Sequence, residues 1–170
     1  MLLAAANALE AIDRHSPFPD AELPHEPLIA AVAGADYGWP YCFDGAVPSP
    51  EYTARGCAGV RAPDLLLPAH AAPLGMLVYQ GNAIATLAGR LIVGYHGYRN
   101  GGHRLVSIAL ATEAGKPPFA APQDLAWGWD FMAGKMPRGA PVALAQMADG
   151  SVLVSEDHNG TLLRLAADKA

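Results

Sequence analysis

Positive charge is scarce in this chain. Of 170 residues only 11 are Lys or Arg, scattered singly against 16 Asp and Glu, for a formal net charge of −5. No basic stripe exists to follow a phosphate backbone or an anionic membrane surface, which sets nucleic acid aside as a partner. Long apolar runs are lacking too: no segment approaches the roughly 20 residues that a bilayer span requires. The apolar opening, residues 1–13, has no basic flank, and Glu10 and Asp13 interrupt it, so no signal peptide is read there. Cysteine is nearly absent. Cys42 and Cys57 flank a polar, proline-containing loop without a CxxC or HxxxH companion, which argues against zinc held by their thiolates. Either the two bridge, closing a short ring worth about 2–3 kcal/mol in an oxidising compartment, or they stay as thiols. No CxxCH run is present to attach haem.

What the chain has in quantity is apolar residues (52%), 18 Gly and 15 Pro. That is enough hydrophobic material for one ordinary core, and punctuation this frequent suits many short strands joined by turns better than long helices. Residues 2–13 have helical propensity, ended by Pro17, Pro19 and Pro24, so a short N-terminal helix is allowed within a lead-in of residues 1–23. A short apolar run at 28–32 then enters residues 34–42, Gly-Ala-Asp-Tyr-Gly-Trp-Pro-Tyr-Cys, whose rings, glycines and proline make a built loop rather than a helix or regular strand. Residues 43–64 read as a turn-rich surface excursion. Strand signals follow at 75–79, 89–94 and 104–109, then a second irregular excursion at 115–138, then strands at 141–146, 151–155 and 161–165. Asp149-Gly150 and Asn159-Gly160 join the last three as hairpin turns.

The stretch Gly-Arg-Leu-Ile-Val-Gly-Tyr-His ending at His96 resembles Gly-Ser-Val-Leu-Val-Ser-Glu-Asp ending at Asp157, and each is followed by a second strand. Such a repeat is how β-propeller blades read, with a β-sandwich as the alternative pattern. Four segments taken together, 35–42, 67–75 (Leu-Pro-Ala-His-Ala-Ala-Pro-Leu-Gly), 89–100 and 140–157, resemble the glucose/sorbosone dehydrogenase family of quinoprotein sugar dehydrogenases, in order and approximate spacing. The tail resembles its L-sorbosone dehydrogenase branch. The resemblance implies an all-β chain built as a partial six-bladed propeller, about three blades with long loops over residues 24–170, since blades take about 40–50 residues each. It covers only the carboxy-terminal half of that family, so the histidine that serves the family as general base lies in blades this sequence does not contain.

By the same resemblance the protein is a fragment of a sugar (aldose or sorbosone) dehydrogenase that uses pyrroloquinoline quinone (PQQ) and calcium. It would oxidise a sugar hydroxyl or aldehyde in the periplasm and pass electrons to a soluble acceptor or cytochrome. Such chemistry needs a base for the hydroxyl proton, and His96 and His70, each in a Gly/Pro-bracketed turn at a strand end, are the candidates. Around Gly97, the residues Tyr95, Arg99 and Asn100 suit a flat, carboxylate-bearing cofactor: the guanidinium pairs with a carboxylate and the phenol covers a ring. A quinone-reaching arginine common in the family is replaced here by Ala140. Calcium would fall on residues 19–26, with Asp20 and Glu26 as hard oxygen ligands. Glu156, Asp157 and His158 are read as a solvated turn that could also bind substrate or metal, and Trp39, Trp127 and Trp129 as packing residues between blades. The alternative is a non-catalytic propeller fragment that binds or assembles, as a homo-oligomer or with the other half.

Overall fold

The structure, a computed structural model, describes residues 22–52, 54–97, 101–111, 113, 115–128 and 139–167, together with the backbone of residues 2–5. It is all-β. Among the described residues the helical content is a single 3-10 turn, Ala85–Leu87. The chain forms two compact units, Met1–Ala72 and Pro73–Ala170.

In the first unit β1 (Leu2–Ala5), β2 (Glu26–Ala31) and β5 (Leu65–Leu67) form an antiparallel sheet with β2 in the centre, and β3 (Cys42–Phe43) pairs with β4 (Val47–Pro48) in a short hairpin between them. Residues 2–5 are therefore extended, not helical: Leu2 pairs with Ala31 and Ala5 with Leu28. An alanine-rich segment prefers helix by only tenths of a kcal/mol per residue, which a full strand ladder overrides. The rest of that helical reading lies outside the described residues.

The excursion after β2 is a stapled loop. Cys42 and Cys57 are joined by a disulfide with Cα atoms 5.9 Å apart. Asp36 accepts the Gly38 N–H (2.8 Å) and pairs with Arg55, two contacts that hold its carboxyl below the usual carboxylate range. Arg55 in turn lies 4.6 Å over the Tyr41 ring, which meets Tyr52 edge to face at 5.5 Å. Gly38 has φ +96°, and a Cβ there would stand 2.9 Å from that of Cys42, so only glycine fits.

The second unit holds two meanders. β6 (Pro73–Val78), β7 (Arg90–Tyr95), β8 (Arg104–Ala109) and β9 (Gln123–Trp127) are hydrogen-bonded in sequence order, and so are β10 (Pro141–Gln146), β11 (Val152–Glu156) and β12 (Thr161–Leu165). Alternation along β7 sends Ile92 to one face and Leu91, Val93 and Tyr95 to the other, and all four are buried. Ile92 and Leu105 meet Val152 and Val154 of the next sheet, with Tyr79 and Leu87 completing the core and Leu144, Leu163 and Leu165 around it. The buried Tyr79 hydroxyl donates to the Gly150 carbonyl (2.6 Å) and accepts the Ile84 N–H (3.1 Å), so the aromatic body enters the core with its polar end satisfied.

β10 packs alongside β6 and β7. Contact at the first strands is backbone to backbone: a Cβ at Gly75 would fall 2.6 Å from the Val142 carbonyl oxygen. Meander sheets stacked face to face with their first strands adjacent are neighbouring propeller blades. The segment 115–138, read as irregular, contains β9, an edge strand whose ladder to β8 shifts register between Leu105 and Val106. The packing role expected of the tryptophans is also corrected: Trp39 is 66% and Trp127 65% exposed. Trp39 sits in the loop before β3, Trp127 ends the edge strand β9, and Trp129 lies outside the described residues.

Candidate functional site

The repeat noted in the sequence has a spatial meaning. β7 and β11 are the second strands of adjacent sheets, and the residue just past each, His96 and Asp157, meets the other: His96 Nε2 is 3.1 Å from both Asp157 carboxylate oxygens. His158 adds a second imidazole, its ring centroid 5.4 Å from that of His96. One ligating atom from each of the three lies within 4.8 Å of the others, and among the described residues this is the one such group of His, Cys, Asp or Glu. Asp157 is more than half exposed and His96 about a quarter. Desolvation works against its charge, but the hydrogen bond from His96 and the fields of His96 and His158 hold the Asp157 carboxyl below the usual range.

The turn that presents Asp157 and His158 is fastened from beneath by Glu156, which is 2% exposed and not part of a solvated turn as the sequence suggested. Its carboxylate accepts the backbone N–H of Ala140 (3.0 Å), that of Asn159 (3.0 and 3.1 Å) and the Thr161 hydroxyl (2.9 Å). These bonds outweigh desolvation and hold the Glu156 carboxyl low. A tight turn leaves N–H groups that need an acceptor, and here a buried carboxylate supplies it. Ala140, where the family places a cofactor-reaching arginine, is fully buried against this network. On the other side the chain after His96 is pinched: a Cβ at Gly102 would lie 1.7 Å from the Gly97 carbonyl oxygen.

Tyr95, one residue before His96, faces the opposite side of its strand. It is 1% exposed, burial pushes its hydroxyl pKa up, and that hydroxyl has no hydrogen-bond partner among the described residues. Arg99, Asn100 and Asp20 lie outside the described residues. His70 belongs to the first unit, buried, in a left-handed turn (φ +57°). Glu26 is buried in β2 of the same unit, opposite Leu67. Of the residues named for calcium and the quinone, Asp20, Arg99 and Asn100 lie outside the described ones, so the described residues carry only part of each set. They do assemble a proton-handling pair. A carboxylate on Nε2 fixes the neutral imidazole with its proton there and leaves Nδ1 as the basic nitrogen. Sequence reasoning passed over one further pair: His25 donates its backbone N–H to Asp44 (3.1 Å) and holds the same carboxylate with its ring at 2.7 Å, beside a recess of about 490 Å³ lined by Glu22, Leu23, Pro68 and Ala69.

The sequence by itself matches no family profile and no curated protein. Its fold does match solved structures. A Trichoderma reesei carbohydrate-active enzyme of family AA12 superposes with a TM-score of 0.72 at 18% identity, over 95% of this chain and 47% of that one. A glucose dehydrogenase gives 0.66 at 18% identity, over 86% and 39%. The apo form of the soluble aldose sugar dehydrogenase of Escherichia coli gives 0.61 at 14% identity, over 87% and 39%. The fold is that of part of a propeller, shared with these enzymes. This chain spans less than half the length of each of these neighbours, over their carboxy-terminal part. No helix among the described residues is long and apolar enough to cross a membrane.

Proposed function

We propose that the chain is the carboxy-terminal part of a PQQ- and calcium-dependent sugar dehydrogenase, acting on a sugar hydroxyl or aldehyde in the periplasm and handing electrons to an external acceptor. The sugar-dehydrogenase fold supports the reaction class, and His96 held by Asp157 is the observation that supports a role in it. Removal of two electrons from a sugar carbinol releases a hydride and a proton. A quinone, held in part by residues outside the described ones, would supply the hydride acceptor. The part we assign to this chain is a proton acceptor additional to the family's own base, which the resemblance places in other blades: His96 Nδ1 takes the hydroxyl proton, and Asp157 stabilises the imidazolium that results, a step worth about 10²–10⁴-fold for general-base catalysis.

A second reading, a binding or assembly module without turnover, is favoured by Ala140, a methyl group where the resemblance expects a quinone-reaching arginine. Titration of the purified chain with PQQ and Ca²⁺, followed by quinone absorbance and then by dye reduction with added aldoses, separates the two. Saturable binding with turnover that falls at least 100-fold in His96→Gln supports the dehydrogenase role. Binding without turnover supports the module, and no binding removes the quinone from both.

A further inference from the structure

We propose that His96, Asp157 and His158 form a site for a borderline divalent transition cation, of which Zn²⁺ is the type. The proposal does not rest on sugar oxidation, and with a cation on Nε2 the His96 ring carries its proton on Nδ1 and no longer serves as the base described above: it needs only these three side chains, and its cation is not the calcium that the family resemblance implies. Calcium takes six to eight oxygen donors, whereas two imidazoles and one carboxylate are the donor set of Zn²⁺, Cu²⁺ or Ni²⁺.

The geometry is close to what such an ion requires. Tetrahedral coordination at about 2.0–2.2 Å per ligand places ligand atoms about 3.4 Å apart. His96 Nε2 and the Asp157 oxygens already stand 3.1 Å apart, and the His158 donor lies within 4.8 Å of both, so an adjustment of roughly 1 Å in a partly exposed side chain completes three contacts.

Two of the ligands are adjacent in a turn that Glu156 fixes through the Asn159 N–H and Thr161 hydroxyl, and the third follows the last residue of β7. The donors are therefore carried on ordered backbone, which lowers the entropy lost on binding. Binding through Nε2 uses that nitrogen's lone pair, so the ring exchanges its hydrogen bond to Asp157 for a shared metal contact. Three protein ligands leave the fourth position to water.

Isothermal titration of the whole chain with ZnCl₂ in a non-chelating buffer tests this. The expected result is one ion per chain with micromolar affinity, weakened at least tenfold in His96→Ala, His158→Ala and Asp157→Asn and unchanged in His103→Ala, whose ring holds the Gly139 carbonyl instead. Far-UV circular dichroism of each variant identifies any that fails to fold, and the visible absorption of added Co²⁺ reads the nitrogen donors in those that do. Excess Ca²⁺ leaves the Zn²⁺ isotherm in place. The proposal is overturned by absence of saturable heat up to about 1 mM cation, a threshold affinity near 4 kcal/mol. It is equally overturned by an isotherm that survives in folded His96→Ala and His158→Ala, or by competition from Ca²⁺ at equal concentration.

Discussion

Strands of two to six residues, a disulfide and carboxylate contacts at Asp36 and Asp44 hold the first compact unit, whereas in the second seven strands of five or six residues close over a shared apolar core. A crosslink acts mainly on the unfolded chain, by restricting what it can explore. Apolar burial acts on the folded one, in proportion to surface removed from water. The first unit also buries Leu28, Phe43 and Leu67, so the difference between the two is the crosslink: the first depends on redox state, and the candidate site stands on the unit without a disulfide.

The sharpest way to break that comparison is Ile92→Ala. Ile92 is fully buried between the two sheets, so the truncation costs about 2–5 kcal/mol, and hydrogen exchange should rise along β6–β12 while the ladder of β1, β2 and β5 is least affected. Equal loss of protection in both units would end the distinction.

Reduction of Cys42–Cys57, 15 residues apart, is next: the chain-entropy argument gives about 3 kcal/mol, read as a lower melting temperature in reductant with the loss centred on residues 34–64. A reductant-insensitive melt would put the staple's contribution elsewhere.

The smallest effect refines the second unit from within. The folded Glu156 carboxyl is held low, so its contribution is present above the ordinary carboxylate range, near pH 4.3, and is lost as pH falls through the folded value. Glu156→Gln should cost about 1–3 kcal/mol at neutral pH and flatten the decline of stability below pH 5, measured by urea melts across pH. A variant that keeps the full acid sensitivity of the parent would assign it to other carboxylates, Asp149 first. That carboxyl is lowered to about 2 by the Ser151 hydroxyl and N–H.

Much of the second unit was legible in the residues. β8, β10 and β12 begin and end where alternation and turn chemistry place them, β10 and β12 because Asp149-Gly150 and Asn159-Gly160 supply the positive φ that their turns need (+80° and +62°). β9 was not legible, since Gln-Asp-Leu-Ala-Trp on a sheet edge buries no regular face and owes its extension to pairing with β8. β1 was hidden for the same reason: an alanine run carries no strand signal until a partner appears. His96 stood out as a histidine at a strand end, but its partner is 61 residues away and depends on how two sheets stack. The clue was in the repeat, whose two copies end on His96 and on Asp157. The tryptophans misled because ring size predicts burial only where a second layer is present to cover it.

The contact of Gly75 with the Val142 carbonyl gives the first strands of the two blades a property that their hydrogen-bond ladders lack. Within each sheet, spacing is set by bonds that tolerate almost any side chain. Between these strands it is set by a missing methyl group, so the gauge between the two sheets is written in one codon. A side chain there would act as a wedge, spreading the sheets while leaving each ladder whole, and the two strand ends that carry His96 and Asp157 would part with them.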